Sequence, residues 1–155
     1  IPAALLQIEI TESVFTVDKN ILIDKTNQLR DAGIAISIDD FGTGYSSLSV
    51  INELHVNKVK IDKAFIDDMN TARGRNMVDT IVTIAHNLSL NVVAEGVEND
   101  IQQRFLAKLG CQQQQGFFFG KPAAIAFWQQ HIAELQRQQP AILLSSATAK
   151  ALPSL

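Results

Sequence analysis

Between Leu5 and Ile10 apolar and polar residues alternate, with Leu6, Ile8 and Ile10 on one side and Gln7 and Glu9 on the other. That is the period of a half-buried strand. From Asp18 to Ala32 the spacing lengthens to that of a helix, closed by Gly33. A second strand is predicted over 34–39 and a third over Lys58 to Asp62. Between them a short helix begins near Ser46, with Ser46 or Ser47 as its N-cap. Met77, Val78, Ile81, Val82, Ile84, Ala85 and Leu88 mark the next helix, and Asn91 to Gly96 a fourth strand. Asn99 with Gln102 forms a capping-box pattern for a helix that ends at Gly110. Gln115 to Phe119 reads as a fifth strand, and Ile125, Trp128, Ile132 and Leu135 stripe the last helix.

Strands alternating with helices predict a parallel sheet covered by helices. The Met77 and Trp128 stripes are expected in the core. Phe117, Phe118 and Phe119 are expected to pack on the sheet rather than to stack nucleic-acid bases. Beyond Gln138 the composition turns to Pro, Ser and Ala, so 1–138 reads as the domain and 139–155 as a loosely held tail. A chain of 155 residues, 46% hydrophobic, can bury a core as one domain. Its formal net charge of -3 argues against a general nucleic-acid binder. The single cysteine, Cys111, excludes an internal disulfide and fits a reducing compartment and a small core residue. No apolar run approaches the roughly 20 residues of a membrane span, so a cytosolic location is expected.

The charges change this picture. Asp39 and Asp40 follow the run Ile34, Ala35, Ile36, Ser37, Ile38 and precede the turn around Gly42 and Gly44. That places two adjacent carboxylates at the carboxyl end of a strand, where ligands gather in α/β folds. Neighbouring side chains on a regular strand point to opposite faces, so both serve one site only where the strand opens into a loop. Left without a cation they repel, and their pKa values shift. Glu9, Lys60 with Asp62, and Glu95 fall near the ends of the other strands, and Gln115 opens the last. Singly, Glu9 or Asp62 reads as an ordinary loop-proximal charge; together they read as one site.

An oxygen-rich set of this type suits Mg²⁺ or Mn²⁺ rather than zinc. His55, His86 and His131 have no ligand spacing and read as structural or exposed. Carboxylates that hold two cations about 3.5–4 Å apart are a common solution for phosphodiester hydrolysis. Lys60 would then orient the attacking water or stabilise the leaving side. Gly42-Thr43-Gly44 is too short for a dinucleotide fingerprint.

These residues resemble the EAL-domain family of cyclic di-GMP phosphodiesterases. The resemblance rests on Ile8-Glu9-Ile10-Thr11-Glu12-Ser13, on the run from Asp39 to Leu48, on Lys60-Ile61-Asp62-Lys63, on Val92 to Glu98, and on Gln115-Gly116, over roughly residues 3–135. It implies a (β/α)8 TIM-type barrel with two Mg²⁺ or Mn²⁺ ions at its mouth, cleaving cyclic di-GMP to linear pGpG. By resemblance Glu9, Asp39, Asp40, Asp62 and Glu95 are metal ligands, with Asp39 as the bridge. Lys60 positions the water and Glu95 assists proton removal. Gln115, with Thr43 and Gly44, contacts the substrate or metal site. Glu12 anchors the 41–48 loop and Glu98 supports the site from behind. That loop is similar to one that couples dimerisation to metal binding, which implies a homodimer.

The Glu-Ala-Leu motif itself and the strand with the family's Asn ligand do not occur in this chain. A complete barrel needs about 250 residues. The expectation is therefore the carboxyl-terminal part of the domain, about five βα units with the first three strands missing, weak or inactive alone. The intact parent is expected to be an active phosphodiesterase behind a sensory or diguanylate cyclase domain. A non-catalytic cyclic di-GMP receptor and a purely structural interaction module are the alternatives.

Overall fold

The structure, a computed structural model, describes residues 1–44 and 48–138. Its first compact unit, Ile1–Gly120, holds five parallel strands in the order β1-β2-β3-β4-β5. These are β1 (Gln7–Thr11), β2 (Ala35–Phe41), β3 (Lys58–Ile61), β4 (Asn91–Ala94) and β5 (Gln113–Gln114). Between them lie α1 (Lys19–Asp31), α2 (Leu48–Glu53), α3 (Lys63–Asp67), α4 (Ala72–Asn87) and α5 (Asp100–Lys108). The sheet with its helices is the α/β arrangement that the alternation predicts.

Strand pairing sorts the side chains into two faces. Ile8 lies beside Ile36, Ile10 beside Ile38, Ile38 beside Val59, Val59 beside Val92, and Ile61 beside Ala94. This apolar face joins Leu22 of α1, Val78, Ile81, Val82 and Ala85 of α4, and Leu106 of α5 in one core. Ile38, Val59 and Ile61 are wholly buried. Burying each such side chain contributes roughly 1.5–3 kcal/mol. The opposite face carries Gln7 and Glu9 of β1, Ser37 and Asp39 of β2, and Lys60 of β3. Buried Ser37 accepts a hydrogen bond from the Gln7 amide at 3.1 Å.

Helix starts follow local chemistry. The Asp18 carboxylate accepts the Asn20 N–H at 2.8 Å and caps α1. Asn99 and Gln102 close a reciprocal capping box on α5. Each such cap stabilises its helix by about 1 kcal/mol. Burial pushes the Cys111 thiol up to about 11, which fits a small, unreactive core residue.

Several sequence expectations are corrected. The first strand begins later, because Ala3–Leu5 form a short 3-10 turn, and Leu6 and Ile8 remain exposed. Among the described residues β1 is an edge strand that pairs with β2 alone. The second strand runs on through both aspartates to Phe41, and the third stops at Ile61 because Asp62 caps the unforeseen helix α3. Ala94 ends the fourth. The helical stripe of α4 is turned by one residue: Val78, Ile81, Val82 and Ala85 are buried, whereas Met77 is exposed.

The last strand is not Gln115–Phe119 but Gln113–Gln114. Gly116 packs so tightly on the Val97 backbone that an added Cβ would lie 2.2 Å from its carbonyl oxygen. There the chain turns, with Phe119 N–H and Gly120 N–H donating back to the Gly116 carbonyl. Phe117, Phe118 and Phe119 consequently stand exposed rather than packed on the sheet.

The second unit, Lys121–Leu155, contains α6 (Ile125–Gln138). Trp128 is only half-buried, and Ile125, Ile132 and Leu135 are exposed, so the expected core stripe is not buried. The rings of Phe127, Trp128 and His131 contact one another along the helix instead. The proposed helix start at Ser46 or Ser47 and the tail 139–155 lie outside the described residues. Among the described residues no helix is long and apolar enough to cross a membrane.

Candidate active site

The carboxyl ends of the strands converge on Lys60. Its ammonium lies 2.8 Å from Glu9 Oε2, 3.0 Å from Asp39 Oδ1 and 2.7 Å from Glu95 Oε1. An ammonium has three donors, and these carboxylates from β1, β2 and the residue after β4 take all of them. Lys60 is buried. Burial works against its charge, but the hydrogen bonds it donates to Glu9, Glu95 and Asp39 outweigh that, holding its pKa above the ordinary lysine value.

The aspartate doublet is shaped by a backbone irregularity rather than by an opening loop. Between Ile38 and Phe41 the β2–β3 register shifts, and Asp40 takes a left-handed φ of 55°. That bulge breaks the strict alternation of faces, so Asp40 falls within electrostatic reach of Asp39, Asp62 and Glu95. Burial, then repulsion from Asp39 and Asp62 and more weakly from Glu95, raises its pKa above the usual carboxylate value. Three carboxylates hold the Lys60 ammonium, and Asp40, with Asp62 beside it, lies within reach of two of them.

Each remaining site residue has a place. Asp62 is the N-cap of α3, its carboxylate accepting the Ala64 N–H at 2.8 Å. Glu95 sits just past β4, its N–H donating to the Ile61 carbonyl at 3.2 Å. The Gln115 amide donates to Glu95 Oε1 at 2.9 Å, the same oxygen that Lys60 reaches. Buried Glu12 accepts the Gly42 N–H at 3.1 Å and thereby grips the turn after β2. Thr43 donates to the Asp40 carbonyl at 2.8 Å. With Gly44, Glu12, Thr11 and Ser13 it lines a cleft of about 480 Å³ that meets the carboxylate cluster through Asp40. Glu98 accepts from Lys63 at 2.7 Å.

Among the described residues, no three His, Cys, Asp or Glu side chains form a ready cage for a metal ion. Glu9, Asp39 and Glu95 turn onto Lys60 instead. The donor chemistry nevertheless fits a hard divalent cation: every donor is oxygen, and Asp40 lies among the like charges of Asp39, Asp62 and Glu95. Lys63 closes the Lys60-Ile61-Asp62-Lys63 motif, but the sequence assigns it no role. Its signal was the four-residue spacing to Asp67, the helical distance for an ion pair.

The EAL domain family model matches residues 1–122. The chain belongs to the EAL domain family. The EAL sequence is 42% identical over 139 residues to the signaling protein YkoW of Bacillus subtilis, covering 89% of this chain and 17% of YkoW. It is 43% identical over 118 residues to MucR of Pseudomonas aeruginosa, covering 76% of this chain and 17% of MucR. MucR is described as a bifunctional diguanylate cyclase/cyclic di-GMP phosphodiesterase. The fold superposes on the MucR phosphodiesterase in complex with c-di-GMP at a TM-score of 0.78 and 40% identity, covering 83% of this chain and 52% of that one. The manganese/cy-diGMP complex of Klebsiella pneumoniae BlrP1 gives a TM-score of 0.71 at 31% identity, covering 79% of this chain and 32% of that one. The EAL chain thus spans about a sixth of the length of the curated relatives it matches. EAL domains are TIM-barrel-like, and the five parallel strands correspond to part of such a barrel.

Proposed function

We propose that this EAL chain supplies the larger part of the catalytic centre of a metal-dependent phosphodiesterase that opens cyclic di-GMP to linear pGpG. The observation that carries the reading is the Lys60 ammonium held by Glu9, Asp39 and Glu95 from three separate segments, with Asp40 and Asp62 beside them. Glu9, Asp39, Asp40, Asp62 and Glu95 are the ligands for Mg²⁺ or Mn²⁺. A bound pair of such ions lowers the pKa of the attacking water and neutralises charge on the phosphoryl oxygens.

The chain's own groups do the rest. Lys60, held protonated, cannot be the base; it donates hydrogen bonds that orient the water or steady charge on the leaving oxygen. Glu95 Oε1 is engaged by Lys60 and Gln115, and Oε2 by neither, so Oε2 is the oxygen to accept the water proton. Gln115, Thr43 and Gly44 contact the substrate or metal site. A homodimer, a sensory or diguanylate cyclase domain elsewhere in the protein and a cytoplasmic location belong to the same reading.

Incubation with cyclic di-GMP and Mn²⁺, followed by chromatography of the nucleotides, tests it. Linear pGpG is expected from the intact protein, with loss of product in Lys60→Met and Asp39→Asn. Tight nucleotide binding without turnover would point to a receptor. Neither binding nor turnover would overturn the reading. The 155 residues alone are expected to turn over slowly or not at all.

A further inference from the structure

We propose that Lys63 is a positioning residue, a clamp that ties the segment after β4 to the start of α3 and so holds Glu95 against Lys60. The inference rests on the proposed phosphodiesterase site and adds a member to it. Lys63 opens α3, directly after Asp62. Its ammonium lies 2.7 Å from Asp67 in its own helix and 2.7 Å from Glu98 across the gap. Its aliphatic stem lies on Gly96, the residue after Glu95. A Cβ built on Gly96 would come within 2.4 Å of Lys63 Cγ and 2.8 Å of Cδ. Gly96 also has a φ of +72°, which other residues rarely adopt. Stem and ammonium thus engage the 96–98 segment at two points, one by packing and one by charge.

A second brace runs in parallel. The Gln102 amide donates to the Ile66 carbonyl of α3 at 3.1 Å, while its oxygen accepts the Glu98 N–H at 2.8 Å. With Glu95 N–H on the Ile61 carbonyl, the carboxylate-bearing ends of β3 and β4 are fixed to one another at successive points. The ion pair of Lys63 and Glu98 is half-exposed on both sides and adds little to global stability. Its effect is on placement, and a misplacement of about 1 Å at a reacting group can cost roughly 100-fold in rate.

Two measurements on the full chain test the clamp: amide hydrogen exchange of Glu95, Val97 and Glu98 without metal, and titration with Mn²⁺. In Lys63→Met the three amides should exchange about 5–10-fold faster than in the parent, because a local opening becomes easier. Mn²⁺ should bind about 10-fold more weakly, the loss typical when a group supporting metal ligands is removed. Lys63→Arg should restore both. Glu98→Gln breaks the same ion pair without touching the stem on Gly96, and should speed the same amides. Wild-type exchange in either Lys63→Met or Glu98→Gln would overturn the clamp. Faster exchange in a protein that takes up no Mn²⁺ would leave the clamp standing and sink the metal reading instead.

Discussion

The two faces of the sheet are made from the same strands yet obey opposite rules. On one, Ile36, Ile38, Val59 and Ile61 meet helix side chains in a dry core. On the other, one residue away along each strand, Glu9, Asp39 and Lys60 meet each other. The apolar face is stabilised by area and tolerates no vacancy. The polar face is held by a cation among mutually repelling acids, an arrangement that removal of the cation unbalances. On the proposed reading, stability resides mainly on the first face and chemistry on the second, and substitutions should separate them.

The largest expected effect on stability is at the apolar face. Ile38→Ala leaves a cavity under a wholly buried position and should cost about 2–5 kcal/mol, read as a lower urea midpoint. The Lys60 cluster lies on the opposite face of the sheet, so Mn²⁺ affinity in the folded fraction should change less than stability does. Equal losses in both would break the division of labour. Next comes Lys60→Met, which strands three carboxylates. Breaking a fully buried pair costs about 3–5 kcal/mol; Glu9 is 43% exposed here, so roughly 2–3 kcal/mol is expected. Product formation should fall by about 100-fold or more.

Asp40→Asn has the opposite sign. The folded pKa of Asp40 lies above its ordinary value, so its ionisation opposes folding. Below the unfolded pKa, near 3.9, the wild type carries no such penalty, and the penalty grows as pH rises through the folded value. At neutral pH and without metal the variant should melt higher than the wild type. That gain should vanish in acid, and turnover should be lost throughout. Unchanged melting at neutral pH would show the doublet to be relaxed without a cation. The smallest effect is expected at the surface pair of Lys19 and Glu53, both 45% exposed at 2.7 Å. Lys19→Ala should shift stability by no more than about 1 kcal/mol.

Much of this division was legible in the chain. Alternation and apolar runs located four of the strands to within a few residues, and three of the acids at their carboxyl ends, Glu9, Asp39 and Glu95, are the ones that meet on Lys60. What failed did so for reasons of tertiary contact. Phe117 to Phe119 look like a strand by composition, but the approach of Gly116 to Val97 turns the backbone away from the sheet. The α6 stripe has the right period, yet periodicity reports a face without saying what covers it. The short helix α3 was invisible because Asp62 was read as the end of a strand and as a ligand, whereas its carboxylate also caps a helix. Lys63 was missed with it. No pattern within a strand announces a bulge, so the doublet was expected to need a loop.

The left-handed turn of Asp40 within β2 narrows what evolution or a designer can place there. Asn or Gly would fit that geometry comfortably, whereas Val, Ile or Thr would strain it, since branching at Cβ crowds the carbonyl when φ is positive. A single extra step in the pleat thus brings two sequence neighbours, which ordinarily look away from each other, within electrostatic reach. Deleting one residue between Ile38 and Phe41 should restore a regular ribbon and part the two carboxylates.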